Sequence, residues 1–261
     1  MYKLIIPTYK RAETLKNKTM AYLKKTNINP KNIFIYVANK EEKETYENTI
    51  DKNSYAEIII GKRGLPQQRN FIQKTHKIGQ NLFMLDDDLK SIKMKVNDKV
   101  LTEINDLDNF INFAFDICNK NKTRYFGTYP VDNPYFMKNM ITFDLRYIVA
   151  NISGTVNNHD ILRDEGEECK ARKDFTAGKE SHEMTIKYFL ADKSIARFNY
   201  IAPTSTYWGG EGGHQVSRNI KGEKEATEWL YKKYPQYFKM VIRKNGMWDL
   251  TIKRKKNERS R

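Results

Sequence analysis

Three carboxylates in succession, Asp86-Asp87-Asp88, follow directly on the apolar run Asn81 to Leu85. Adjacent like charges repel, and a chain tolerates that where a cation neutralises them. Hard carboxylate oxygens suit Mg²⁺ or Mn²⁺. The stretch that follows, Leu-Lys-Ser-Ile-Lys-Met, is strand-like, which argues against an acidic turn capping a helix. Much later, Gly209-Gly210-Glu211-Gly212-Gly213-His214 forms a glycine-rich turn carrying a metal-capable imidazole, and the cation Arg218 follows it. Flexible glycines would let such a turn close over a bound ligand. His76, His159 and His182 suggest no chemistry, beyond a helix-start contact for His182.

The elements that must hold these groups alternate regularly over the first ninety residues. Tyr2 to Ile6, Ile33 to Ala38, Ala56 to Ile60 and Asn81 to Leu85 read as strands, the middle two as runs buried on both faces. Between them, Leu15, Thr19, Tyr22 and Leu23 fall on one helical face, Glu41 to Ile50 is helix-friendly, and Pro66 opens a third helix. That order predicts a parallel sheet with right-handed crossovers. The aspartates then sit at the carboxyl end of a central strand, where open α/β sheets bind ligands.

The second half is less regular. Ser91 to Val96, Arg124 to Thr128, Ile141 to Ile152 and Ile195 to Ile201 read as strands. Leu107, Phe110, Ile111, Ala114, Phe115 and Cys118 mark an amphipathic helix, with Cys118 a core residue. Glu183 to Ala191 and Glu223 to Tyr234 are further helices, and Val241 to Ile252 suggests a hairpin turning at Asn245-Gly246. The polar stretch Asn157 to Lys179 is expected to be a loop over a site.

The chain has 261 residues, 47 Lys and Arg against 32 Asp and Glu, and a net charge of +15. Such a surplus attracts polyanions. Two cysteines cannot build a disulfide framework or a Cys-rich zinc site. No apolar run is membrane-length, and the N-terminus lacks a signal-peptide core. These features exclude secreted mini-protein, zinc-finger and membrane classes. They predict a cytoplasmic protein without stable membrane insertion or an obligate protein partner. One domain is expected over residues 1–252, with halves at 1–90 and 91–252, and 253–261 as a disordered basic tail.

The four-strand α/β half ending in Phe-Met-Leu-Asp-Asp-Asp resembles the GT-A glycosyltransferases, whose Asp-x-Asp motif holds a divalent ion on a nucleotide-sugar diphosphate. Ile5-Ile6-Pro7-Thr8-Tyr9-Lys10-Arg11 is similar to that family's first strand and nucleotide-binding turn. Gly64-Leu65-Pro66-Gln67-Gln68-Arg69-Asn70 lies where the family places an Arg-Asn segment beside the nucleotide. The three blocks occur in the family's order and span about the first third of the chain. The resemblance implies a Rossmann-like nucleotide-binding half with a mostly parallel sheet and a mixed α/β acceptor half. It implies Asp86, Asp88 and His214 on Mn²⁺ or Mg²⁺. Pro7, Thr8, Arg11, Arg69, Asp86, Asp87 and Arg218 would serve the donor, most simply a UDP sugar, with Asp87 on its ribose or sugar. The segment Lys173 to Glu183 is similar to the family's acidic acceptor-side motif. It offers Glu180 or Glu183 as the base, with Asp174 next in line.

That segment, the compact size and the charge also resemble the phage and kinetoplastid glycosyltransferases that modify hydroxymethylated DNA bases. The implied acceptor is a hydroxymethylpyrimidine in double-stranded DNA. Tyr125, Phe126, Tyr129, Tyr135, Phe136, Tyr207 and Trp208 are candidates to stack on an extruded base. The alternatives are a carbohydrate or lipid-linked acceptor, or a nuclease-like DNA-binding protein using the aspartates for two-metal chemistry.

Overall fold

The structure, a computed structural model, describes residues 1–175, 178–205 and 219–253. The first part runs β1 (Tyr2–Pro7), α1 (Ala12–Leu15), a π turn (Lys16–Met20), α2 (Ala21–Leu23), β2 (Ile33–Val37), α3 (Lys40–Thr49), β3 (Glu57–Ile60), α4 (Leu65–Thr75) and β4 (Asn81–Leu85). These strands lie side by side in the order β3-β2-β1-β4, all parallel. Successive residues serve opposite faces, as a pleated strand requires. Leu4 and Ile6 of β1, Ile33, Ile35 and Val37 of β2, and Phe83 and Leu85 of β4 enter the main core. Ile5, Tyr36, Leu82 and Met84 pack on the other face with Ile72 of α4. β3 departs from expectation. It is the sheet's edge, with Glu57 and Ile60 exposed and Ile58 alone fully buried.

The second part runs β5 (Leu89–Lys95), β6 (Leu101–Glu103), α5 (Leu107–Lys120), β7 (Tyr125–Thr128), β8 (Ile141–Thr142), β9 (Ile152–Val156), α6 (Glu180–Asp192), β10 (Ala196–Phe198), β11 (Ile201–Ser205), α7 (Ile220–Lys233), β12 (Phe238–Ile242) and β13 (Trp248–Ile252). The large sheet continues past β4 through β9, β7, β10 and β8, with β9 antiparallel to both neighbours. β11, β5 and β6 form a second sheet, and β12 and β13 a hairpin. All six apolar positions expected on α5 are buried, Cys118 among them.

Two expected strands are interrupted. The stretch 141–152 pairs only at its ends, because its backbone groups are taken by side chains. Ile148 N–H donates to Thr185, Ala150 N–H to Ser181, and Arg69 donates to the Ala150 carbonyl. The stretch 195–201 breaks after β10, where the Asn199 amide donates to the carbonyls of Met140 and Arg197 and to Thr142. The chain then crosses to the second sheet. The described residues of 157–179 form a loop as expected, with one short helical turn at Lys170–Arg172, but much of it is internal, with Arg163, Asp164 and Arg172 all buried.

Candidate active site

β1 and β4 are neighbours from which the chain departs in opposite directions, so a crevice opens at their carboxyl ends. Thr8, just after β1, donates from Oγ1 to Asp87 Oδ2 at 2.7 Å. Tyr46 of α3 shares a 2.7 Å bond with the same hydroxyl and accepts the Arg11 backbone N–H. Arg11 Nη1 reaches Asp87 at 3.0 Å and Asp88 at 3.3 Å. Thr19, in the π turn, donates to the Asp86 carbonyl at 2.8 Å and accepts the Leu89 N–H at 3.0 Å. The three aspartates are therefore braced from both ends.

Asp86 differs from Asp87. Its side chain is 36% exposed and, among the described residues, pairs with Arg69 Nη2 at 2.9 Å. Burial of the surrounding site pushes its carboxyl up to about 7, with Asp88, Asp87 and Glu180 adding to the rise against the pull of Arg69. Asp87 is raised by burial too, opposed by Arg11 and Thr8. A carboxylate this reluctant to ionise would be stabilised by a cation. Asp86 and Asp88 offer two hard oxygen ligands, which is how Mg²⁺-type ions commonly bind before substrate phosphates complete the shell. Among the described residues no group of three His, Cys, Asp or Glu stands ready to enclose a metal.

Two clefts meet here. The first, about 790 Å³ with its open mouth, is lined by Pro7, Thr8, Tyr9, Arg11, Ala38, Arg63, Gln68, Asp86, Asp87 and Phe175, among others. The Arg63 guanidinium lies 5.7 Å from the Tyr9 ring centroid and 4.6 Å from that of Phe175. The second, about 1860 Å³ with open solvent, is lined on one side by Tyr147, Ala150, Asn151, Glu180 and His182. The hairpin turn from Arg243 to Trp248 forms its other side. Leu65 and Asp86 belong to both.

Helix α4 carries four consecutive polar residues, of which Gln67, Arg69 and Asn70 tie the first half to the second and Gln68 braces the first half itself. Gln67 donates to the carbonyls of Glu165 and Arg172. Gln68 bonds the Val37 carbonyl and the Lys62 N–H. Asn70 exchanges two bonds with the Arg163 backbone. Arg69, 2% exposed, spans Asp86 and Glu180, the latter at 2.5 Å. The segment was expected beside the nucleotide. Both terminal nitrogens of Arg69 are instead committed to protein, so it positions Asp86 from behind.

The acidic pair at the start of α6 also needs correction. Glu183 is wholly buried, paired with Arg172 and Lys187, and accepts the Asp164 N–H. No oxygen is left for an acceptor proton, so it is a structural charge. Glu180 lines the second cleft, but Arg69 and Arg163 clamp it. Despite burial, those arginines hold its carboxyl down at about 2, which makes it a poor proton acceptor at neutral pH. Asp174 is exposed and does not line the second cleft.

Pro7, Thr8, Arg11 and the aspartates gather as expected. His214 and Arg218, the glycine-rich turn, Tyr207 and Trp208 lie outside the described residues, as does the tail beyond Lys253. Tyr125 and Phe126 cannot stack on a base, being 1% and 0% exposed in the core. Tyr129 lies under Arg197, 5.3 Å from ring centroid to guanidinium. Tyr135 and Phe136 are exposed, 70% and 56%. The residues sequence reasoning missed are Thr19, Tyr46, Asn151, Arg163 and Arg172. Two buried arginines in a stretch read as a loop over a site carry no signal within the loop, since their partners Gln73, Glu180 and Glu183 lie on the helices either side of it.

No protein-family model matches the sequence, and no curated protein matches it. Among solved structures, the chain is similar to S. aureus TarS 1–349 in complex with UDP-GlcNAc, at 15% identity and a TM-score of 0.54. The match covers 89% of this chain and 66% of that one. The chain thus spans just under two thirds of the structure it matches. A mannosyltransferase, PcManGT from Pyrobaculum calidifontis, in complex with GDP-Man and Mn²⁺, aligns at 10% identity and a TM-score of 0.46, over 90% of this chain and 63% of that one. The architecture belongs to the GT-A class, an α/β fold with a large, mostly parallel sheet. Among the described residues no helix is long and apolar enough to cross a membrane.

Proposed function

We propose that the chain is a metal-dependent glycosyltransferase that takes a nucleotide sugar in the first cleft and a hydroxyl acceptor in the second. The observation that carries this reading is the meeting of the two clefts at Asp86. A donor whose diphosphate lies by the aspartates would present its sugar at that junction, in reach of an acceptor from the other side. Pro7, Thr8 and Arg11 line the nucleotide side, and Asp87 holds Arg11 and Thr8 in place. Asp86 and Asp88 would hold Mn²⁺ or Mg²⁺, which as a Lewis acid would stabilise the departing diphosphate. Glu180 orients Arg69, and Arg69 orients Asp86. A UDP sugar is the donor proposed, in keeping with the UDP-GlcNAc bound in the TarS complex.

The acceptor proposed is a hydroxymethylpyrimidine in double-stranded DNA. The +15 net charge supports a polyanion, as does the exposed Lys244 on the hairpin side of the second cleft. The Tyr147 and Trp248 rings in the same cleft favour a saccharide acceptor as the second reading. Incubation with Mn²⁺, UDP sugars and either hydroxymethylated duplex DNA or oligosaccharides, with mass analysis of the products, separates the two. The DNA reading expects a hexose adduct on the modified base only, and duplex binding that weakens with salt at a log–log slope of about −0.9 for each phosphate neutralised. Sugar transfer to saccharides with no salt-sensitive DNA binding decides for the second reading. No turnover of any nucleotide sugar overturns both.

A further inference from the structure

Asn151 lies opposite Asp86 on the neighbouring chain segment, just before β9, and its backbone carbonyl accepts the Asp86 N–H at 3.0 Å. It lines the second cleft close to the junction with the first, and its residue is 6% exposed. Its side-chain Oδ1 is buried without a hydrogen-bond partner among the described residues. Such an orphan is destabilising, so a protein keeps one where something else fills it. A second orphan belongs to the same wall. Arg69 donates from Nη2 to the Ala150 carbonyl, one residue away, while its Nε–H has no partner among the described residues. One atom is an acceptor and the other a donor. A hydroxyl group can satisfy the Asn151 acceptor, because it gives one hydrogen. A phosphate or carboxylate oxygen could use the donor but would leave Asn151 unmet.

We infer that Asn151, backed by Arg69, is the subsite that receives a ring hydroxyl of the sugar being transferred. The inference rests on the glycosyltransferase reading, because it takes the sugar to lie at the Asp86 junction. It assigns Asn151 to the sugar rather than to the nucleotide, whose cleft it does not line. It also explains why the carboxamide oxygen has no partner among the described residues: a partner supplied by the protein would compete with the ligand.

The test uses the full chain with Asn151→Ala and Asn151→Leu, the second chosen for similar volume. Calorimetry with Mn²⁺ compares UDP-glucose, UDP-GlcNAc and GDP-mannose with free UDP and GDP, and melting curves are taken without ligand. The expected result is affinity for the free nucleotide within about twofold of the parent. Affinity for the accepted nucleotide sugar should fall by roughly 3- to 10-fold, the worth of one hydrogen bond. The melting midpoint of the Leu variant should hold or rise, since an unsatisfied polar group has been removed. Equal losses for sugar and free nucleotide, or a lower midpoint in both variants, would show a structural role and overturn the inference. Unchanged sugar affinity would overturn it as well. If the parent itself binds none of the nucleotide sugars, the glycosyltransferase reading fails and takes this assignment with it, an outcome distinct from the other two.

Discussion

The half proposed to bind the donor and the half proposed to bind the acceptor handle charge in opposite ways. Around the aspartates, acidic groups crowd at the end of a strand, and although Asp87 is buried, Asp86 and Asp88 stay partly in solvent, with Asp86 36% exposed and raised to about 7. Around the start of α6, equally acidic groups are taken inside and neutralised by protein. Glu180 meets Arg69 and Arg163, and Glu183 meets Arg172 and Lys187. The first arrangement leaves charge for a ligand to satisfy. The second leaves none, so its carboxylates hold the acceptor cleft in shape. Acidic residues close in sequence are therefore a poor guide to catalysis until their partners are known.

The sharpest way to break this contrast is to neutralise each group by an amide of the same size. In the donor half, Asp86→Asn or Asp88→Asn removes an anionic oxygen from a place where ligand, not protein, needs it. The expected outcome is loss of Mn²⁺-dependent UDP binding on the order of 100-fold or more, beyond the roughly 10- to 100-fold typical of outer-shell changes. Melting temperature should hardly move. Calorimetry showing the parent's Mn²⁺-dependent affinity in both variants would remove the metal assignment.

The matching change in the acceptor half should fail in the other direction. Glu183→Gln strands the Arg172 guanidinium, which is wholly buried beside Trp229. Breaking a buried ion pair from one side costs roughly 3–5 kcal/mol. For a chain of this size that is a fall of roughly 10 °C in melting midpoint. Whatever remains folded should bind UDP like the parent. A variant that melts normally yet cannot transfer sugar would return Glu183 to the catalytic base role.

The same contrast explains what could be read from the sequence. The donor half is built from continuous strands whose pleat alternates between two cores, and its helices begin and end at local signals. Leu4, Ile5 and Ile6, or Phe83, Met84 and Leu85, announce both faces without knowledge of any neighbour. The crowding of Asp86 to Asp88 is equally local. The acceptor cleft depends on pairs far apart in sequence. Arg69 meets Glu180, Gln67 meets the Arg172 carbonyl, and Lys179 meets Asp249. Neither spacing nor periodicity encodes such pairings. The segment 141–152 shows the limit most plainly, since its apolar residues suit a strand but its backbone is spoken for by Arg69, Ser181 and Thr185.

The smallest effect expected is one the two halves share. His76 closes α4 in the donor half, 8% exposed, with its Nε2 2.9 Å from the Tyr36 hydroxyl and Lys3 as its charged neighbour. His182 lies in α6, 6% exposed, stacked on Tyr147 at 4.2 Å, and its Nε2 donates to the Leu250 carbonyl. Asp249, Lys179 and Glu223 face it. Burial pulls both imidazoles down to about 4 from 6.5, with Lys3 helping at His76, and Asp249 opposing while Lys179 helps at His182. Between those values the unfolded chain binds protons that the folded one refuses. Stability should therefore be full above pH 6.5 and drain away as pH falls towards 4, by on the order of 2 kcal/mol for each histidine at about pH 5. The clamped carboxylates Glu180 and Asp249, both held near about 2, lose their contribution only in a lower window, below about 4.5. Asp86, raised to about 7, gains stability as pH falls through the same window and opposes the histidines, so the test is made in an Asp86→Asn background. There, melting curves from about pH 7 to 5 should show the fall, and adding His76→Phe should reduce its slope by about half through loss of one titrating group. In that background, a midpoint that is flat across the range, or a slope unchanged by His76→Phe, would mean that these imidazoles are charged in the folded protein and that the two halves do not share the device.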